Sequence, residues 1–296
     1  MDKDIDILVK LVEKRILIDI AYSGCGSGCK YCYIESPSSV QKVVDKNTIH
    51  QICDWIISNG FQNHIITLCP NTEPFKSQES TKLIMLLIER LSRHSTIFQI
   101  STKEHLNHKI LCCLNELCVT EKQIFLNISM PTIKSSTNLE PFAASISERK
   151  KTINNIHSYK NLTSCLYIKP FLDNTAFEVL DYIALIQECV PDYVCVGVNY
   201  SEFDILGKST CISLYKEDLA GKLLNDESTS KLLAFSKEIQ DATSYLVTHS
   251  TMCHIVDEFN LKCHLNLKQY NKAFCSNCNL GKTQAGMQLY GTLALL

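Results

Sequence analysis

Residues 22–32 read Tyr22-Ser23-Gly24-Cys25-Gly26-Ser27-Gly28-Cys29-Lys30-Tyr31-Cys32, and the rest of the chain is best read outward from them. The cysteines are spaced CxxxCxxC, with Gly24, Gly26 and Gly28 between and before them. Three thiolates so spaced can converge on one cubane iron–sulfur cluster and leave one iron without a protein ligand, open to a further molecule. Glycines let such a loop adopt positive φ angles and bring backbone amides close to the sulfurs, where N–H donors tune the potential. The competing readings are three reduced cysteines in a turn, or a zinc site lacking its fourth ligand. Zinc loops more often carry paired CxxC knuckles.

The run Ile16 to Tyr22, just before this loop, reads as a strand. Before it, Ile5, Leu8, Val9 and Val12 fall at helical spacing and predict a short opening helix. After the loop, Asn47 caps a predicted helix carrying Ile49, Ile52, Ile56 and Ile57 that Gly60 ends, and His64 to Cys69 is the next strand. The alternation continues with helices near 78–92, 106–117, 146–158, 176–188 and 229–242. Strands near 96–101, Ile124 to Met130, Ser164 to Lys169 and Tyr193 to Val198 interleave with them. Six strands alternating with helices imply an α/β fold with a parallel sheet and right-handed crossovers, doubly wound or curled into a partial barrel. Functional loops of such sheets follow the C-terminal ends of strands, where the first cysteine cluster sits.

The length of 296 residues fits one α/β barrel plus an appendage. A net charge of −2 supplies no basic excess to mark a nucleic-acid binder, although a local patch fits inside that total. The acidic start MDKDIDILVKLVEKR is no export signal, and no apolar run is long enough to span a membrane, so a cytoplasmic protein is expected. Sixteen cysteines, seven of them bunched towards the two ends of such a chain, suit thiolate-bound metal in a reducing compartment better than disulfides.

Beyond residue 245 the periodicity fades into Cys253, Cys263, Cys275 and Cys278. The expected organisation is therefore a main domain over 1–245 and a cysteine-rich module over 246–296. Four sulfur ligands complete a closed site, for which a second [4Fe-4S] cluster is favoured over structural zinc or free cysteines. His254 and His264 flank these cysteines as substitute ligands or surface residues, and Lys262, Lys268, Lys272 and Lys282 offset cluster charge, guide an anionic substrate or form a solvated face. The cysteines at 53, 69, 112, 113, 118, 165, 189, 195 and 211 read mostly as buried small hydrophobes. Cys69, beside the loop after the second strand, is the exception that can face that loop's ligand.

The first cluster resembles that of the radical S-adenosylmethionine superfamily, in which an aromatic residue usually precedes the third cysteine, as Tyr31 does here. NTEPF after the second strand, then FQISTKEHL, NISMPT and LEPFAASISERKKTINNI, resemble the spore photoproduct lyase-like branch from about residue 18 to 200. The matching residues are Glu73, Pro74 and Phe75; Thr102 and Lys103; and Glu140, Pro141 and Arg149. The resemblance implies a partial (β/α)6 TIM-type barrel whose [4Fe-4S] cluster cleaves S-adenosylmethionine to a 5′-deoxyadenosyl radical that abstracts hydrogen from a substrate. It further implies that Thr72 and Glu73 receive the cofactor's amino group, that Ser129 touches the ribose and that Arg149 pairs with the carboxylate. Val194 to Val198 is either an apolar surface for the adenine or a plain core strand.

The resemblance also implies an electron donor such as flavodoxin or ferredoxin. It leaves the substrate open among peptide, metabolite and nucleic acid, because fold and cofactor site are shared across many reactions. A lesion lyase is one such reaction, and a non-catalytic zinc or iron–sulfur protein on the same scaffold is the reading from another class.

Overall fold

The computed structural model describes residues 8–12, 15–32, 42–61, 64–94, 97–197, 227–245, 247–250 and 262–263. Strands β1 (Val9–Val12), β2 (Arg15–Ile18), β3 (Ala21–Ser23) and β4 (Lys42–Val43) precede helix α1 (Lys46–Ser58). Then follow β5 (Ile65–Leu68), α2 (Gln78–Leu91), β6 (Ile97–Thr102), α3 (His108–Leu117), β7 (Ile124–Ser129), α4 (Ser136–Leu139) and α5 (Ile146–Ile156). The chain continues through β8 (Leu162–Ile168), a 3-10 turn (Asp173–Glu178), α6 (Val179–Cys189), β9 (Tyr193–Gly197), α7 (Glu227–Thr243), β10 (Val247–Ser250) and β11 (Lys262–Cys263).

Helices α1, α2, α3 and α5 begin where a side chain satisfies an end amide. Asp45 accepts from Thr48 N at 2.7 Å, so the cap of α1 is Asp45 and not Asn47. Asn107 accepts from Ile110 N at 3.0 Å, and Ser77 and Ser145 form capping boxes with Ser80 and Glu148. Gly60 follows α1 at φ 67°, a conformation that suits glycine.

The opening segment departs from its periodicity. Val9 and Val12 belong to a strand, not a helix, and pair antiparallel with Ile18 and Arg15 of β2. Backbone pairing with β2 overrides a helical spacing carried by only four positions. The expected strand from Ile16 to Tyr22 divides: β2 joins the main sheet, whereas β3 pairs with β4.

The strands run β2, β5, β6, β7, β8, β9 in sheet order as in sequence. A doubly wound sheet would reverse at a switch point, so the order is that of a partial barrel. The α/β class and the six expected strands are present, and β10 adds a further parallel strand beside β9 where the sequence pattern fades. No helix among the described residues is long and apolar enough to cross a membrane.

The chain divides into two compact units. The first comprises Met1–Cys29, Ile34–Ile128 and Glu140–Cys165. In it β2, β5, β6 and β7 are parallel, with Ile16 opposite Ile66, Ile66 opposite Phe98 and Phe98 opposite Ile124. All four residues are inaccessible to solvent. On the other face Thr67 donates to Gln99 at 3.3 Å and Asn127 donates to Ser101 at 3.1 Å, a polar row in an apolar sheet.

The second unit comprises Lys30–Tyr33, Ser129–Leu139 and Leu166–Leu296. There Met130 N donates to Tyr167 O at 2.9 Å and Tyr182 Oη donates to Met130 O at 2.7 Å. Glu178 accepts from Thr132 Oγ1 at 2.8 Å and from Ile133 N at 2.6 Å, which anchors the turn after β7. Phe235 of α7 meets the rings of Phe171 and Tyr182 edge-on at 5.2 and 5.3 Å.

Phe235 is 2% exposed, so Phe235→Ala should cost about 3–5 kcal/mol through lost contacts and a residual cavity. Urea unfolding followed by circular dichroism measures this. A loss under about 1 kcal/mol would mean that α7 is not docked through this ring.

Candidate metal and cofactor site

The cysteine loop leaves the sheet after β3, and the pairing of Ala21 with Val43 and Ser23 with Lys42 ties its two ends together. Gly24, Gly26 and Gly28 take φ angles of 73°, 74° and 61°, which side chains with a Cβ rarely adopt. Cys25 and Cys29 are half-buried, Cys32 is exposed, and none of the three is in a disulfide. Cys25 Sγ lies 3.5 Å from the buried Ser27 hydroxyl. Among the described residues no group of three or more His, Cys, Asp or Glu side chains is gathered as a metal site.

The loop after β5 is held by a residue that sequence reasoning missed. Asp19, directly after β2, accepts from Asn71 Nδ2 at 2.9 Å, from Asn71 N at 3.3 Å and from Thr72 Oγ1 at 3.0 Å. Thr72 thus directs its hydroxyl to Asp19. Cys69 begins the turn at φ 53°, and burial pushes its thiol well above the ordinary range.

Glu73 is buried and joins two motifs that are 30 residues apart in sequence. Its carboxylate accepts from Thr102 Oγ1, from Lys103 N at 2.9 Å and from Phe75 N at 3.4 Å. Burial raises its pKa to about 7, against the opposing effect of the bonds from Thr102 and Lys103.

Lys103 is half-buried at the end of β6. Burial alone would lower its pKa, yet the charges of Cys29, Glu140, Glu73 and Cys25 together outweigh it and hold the ammonium above its usual range. Sequence reading placed Lys103 in a motif without giving it a role. The signal was present in the motif itself, a lysine one residue beyond a strand end, where functional groups of such sheets collect.

Arg149 is 1% exposed, unlike its neighbours Lys150 and Lys151, which lie nearer the surface of α5. Its Nη2 sits 2.7 Å from Glu140 Oε2 and its Nε donates to Ala144 O at 2.7 Å. Pro141 and Phe142 then lie against one side of the exposed Gly28: a Cβ built there would lie 2.7 Å from Phe142 Cδ2 and 3.6 Å from Pro141 Cγ. Ala144 N donates to Lys103 O at 3.1 Å, and Lys76 donates to Phe142 O and pairs with Glu104 at 2.8 Å.

The remaining sites lie in the second unit. Lys30 N, beside the half-buried Tyr31, donates to Leu139 O at 2.9 Å. Ser129 is buried at the end of β7 and its hydroxyl donates to Lys169 O at 3.2 Å. Val194 and Val196 are fully buried in β9. Cys253, Cys275, Cys278, His254 and His264 lie outside the described residues. For Cys263 only its place in β11 is described.

Of the other cysteines, 53, 69, 165, 189 and 195 are buried as expected, whereas 112, 113 and 118 are half-buried. Desolvation pushes the thiols of Cys53 and Cys118 up to about 12, so they remain protonated and make poor metal ligands. Cys211 lies outside the described residues.

No family model matches the chain, and no curated protein does. Solved structures do. A spore photoproduct lyase variant with bound AdoMet and dinucleoside spore photoproduct is 13% identical, with 77% of this chain and 74% of that one covered and a TM-score of 0.51. anSMEcpe with bound AdoMet is 16% identical, covering 83% and 66% at a TM-score of 0.54. Streptococcus suis SuiB bound to S-adenosylmethionine is 13% identical, covering 83% and 48% at a TM-score of 0.50. The chain shares their fold. Spore photoproduct lyase thus appears among the structural neighbours, as the motifs around Glu73, Lys103 and Arg149 lead one to expect.

The environment of Glu73 has a consequence for pH. The unfolded carboxyl releases its proton near 4.5 and the folded one near 7, so the native state binds more protons between these values and loses stability as pH rises through them. The loss amounts to about 3 kcal/mol at neutral pH. Glu73→Gln should flatten the decline across this window in urea melts taken at successive pH values. Identical slopes for the two proteins would mean that the carboxyl is not buried.

Proposed function

We propose that the chain is a radical S-adenosylmethionine enzyme in which Cys25, Cys29 and Cys32 hold a [4Fe-4S] cluster. The observation that supports this reading is that Lys103 feels the charges of Cys25, Cys29, Glu73 and Glu140, from the cysteine loop and the two matched motifs, strongly enough to outweigh its burial. The donor set fits the group. Three thiols stand in a loop whose glycines adopt φ angles that only a tightly folded turn requires, and a cation stands ready to offset the charge of thiolate-ligated iron. Bound there, the cluster and S-adenosylmethionine would supply reductive cleavage of the sulfonium and a 5′-deoxyadenosyl radical for hydrogen abstraction.

The protein's own part is binding, orientation and charge. Lys103 would neutralise thiolate charge and receive the methionine carboxylate, with Glu73 and the backbone carbonyls of the Thr72 turn receiving the ammonium. Tyr31 would lie against the bound cofactor, and the Ser129 hydroxyl would meet the ribose. Sequence reading also gave Arg149 to the carboxylate. With its guanidinium on Glu140 and Ala144, Arg149 is better assigned to hold Glu140 beside Lys103.

The site suits a cytoplasmic setting in which thiols stay reduced, with flavodoxin or ferredoxin as electron donor. Peptide, metabolite and nucleic acid are the substrate classes. Lesion cleavage of the spore photoproduct lyase type is the second reading, supported by the EP, TK and EP-Arg motifs together with the fold. A non-catalytic metal protein would need no cation poised beside two ligands. For Cys253, Cys263, Cys275 and Cys278 we propose a second [4Fe-4S] cluster, with zinc as the alternative.

Replacing Cys25, Cys29 and Cys32 together by alanine should abolish cleavage of S-adenosylmethionine to 5′-deoxyadenosine by anaerobically reconstituted protein. Undiminished cleavage would refute the assignment. Counting metal in the same preparation addresses the C-terminal cysteines: about eight irons per chain are expected from two cubanes, and about four after the four cysteines are removed. About four irons with one zinc, and iron unchanged by that removal, would replace the second cluster with a zinc site.

A further inference from the structure

We propose that residues Glu140–Ala144 form a strap that holds the Cys25–Cys29 turn in its ligand-presenting shape, with Phe142 as the positioning residue that bears on Gly28. The strap is fixed along its length. At its start the Glu140 carboxylate meets Arg149 at 2.7 Å, and at its end Ala144 O accepts from Arg149 Nε at 2.7 Å. Between these points Ala143 N donates to Glu140 O at 3.2 Å, and Lys76 donates to Phe142 O. Ala144 N donates to Lys103 O at 3.1 Å, so the strap is also fastened to the strand end that carries the ammonium.

Phe142 is 57% exposed, and burial of its own surface therefore does not account for a phenyl ring at this place. Its edge lies against Gly28, where an added Cβ would come within 2.7 Å of Cδ2 and 3.0 Å of Cε2. Gly28 stands at φ 61° directly before Cys29. A loop with three glycines has many conformations to lose when it presents two thiols together, and a fixed ring against one of those glycines removes some of them beforehand. Exposure on one side and contact with the glycine on the other are what a retaining residue requires.

The contact belongs to the fold of the chain itself; its purpose in metal binding rests on the function proposed above. Two measurements on the full-length protein separate them. First, alkylation of metal-free protein by iodoacetamide is followed cysteine by cysteine by mass spectrometry. Phe142→Ala should raise the rates at Cys25 and Cys29 several-fold and leave that at Cys112 unchanged, while Phe142→Leu, which keeps a branched side chain over the glycine, should stay near the native rate.

Second, Gly28→Ala is made in the native and the Phe142→Ala backgrounds, and loss of reconstituted iron to a chelator is timed. The cost of placing alanine at positive φ is common to both backgrounds, so their difference reports the ring contact. Gly28→Ala should accelerate iron loss several-fold in the native background, and removal of the ring should restore part of the difference. Native alkylation rates in Phe142→Ala, or equal damage by Gly28→Ala in both backgrounds, would overturn the strap. Failure of the native chain to take up a cluster would instead refute the function, with the alkylation result still deciding the strap.

Discussion

Glu140 and Arg149 meet at 2.7 Å with side chains 0% and 1% exposed, so neither charge has water to fall back on. Removing one partner of such a pair typically costs roughly 3–5 kcal/mol, because the other is left charged in a poor solvent. Attraction between the partners does not by itself make the pair a source of stability, since both had to be desolvated to form it. Its effect is on geometry. The pair closes the turn that leads into α5, and through Ala143, Ala144 and Phe142 it fixes the chain that passes between Lys103 and Gly28.

The charges around Lys103 follow the same economy of solvent. Burial disfavours an ammonium, but here acidic groups of three separate loops act on one, and their combined field exceeds the desolvation. An ammonium so placed is complementary to any added negative charge, whether thiolates on a metal or a carboxylate brought by a ligand. Glu73 contributes little of that field at low pH, because burial holds its proton to about 7 despite the donors that favour the ionised form. Above that value it ionises and strengthens the field on Lys103.

What could be read in the sequence was what depends on near neighbours. Cys25, Cys29 and Cys32 declare themselves by spacing, and α2, β6, α3 and β7 by periods of 3.6 and 2 with boundaries near their observed ends. The signal was too short for β1, where four apolar positions fitted a helix but pairing with β2 decided the matter. Asp19 gave no local signal, because its partners Asn71 and Thr72 lie 52 and 53 residues away. Arg149 stands in a run with Lys150 and Lys151, and the sequence does not single out one of the three as buried. Successive helix residues face different directions, however, and only the tertiary structure shows which of the three turns inward. Phe142 could not be found at all from sequence, since its importance lies in what is missing from Gly28.

The tripeptide Glu-Pro-Phe occurs twice, at 73–75 and 140–142, and the fold gives the two glutamates different partners. In the first, the carboxylate has neutral donors, holds a proton up to about neutral pH, and is followed by a phenylalanine that is 7% exposed in the core. In the second, the carboxylate faces a guanidinium, and the phenylalanine is turned outward over a glycine. Proline in both copies biases the preceding glutamate away from helix and directs it across the turn toward a partner distant in sequence. That bias is the property the copies share, and it explains why the same three residues suit both places. The surroundings then set the chemistry: burial raises the pKa of the first carboxyl despite its hydroxyl and amide donors, and an arginine ties the second to α5. A resemblance of motif therefore locates such a turn correctly while leaving the role of its carboxylate to be decided by the residue opposite.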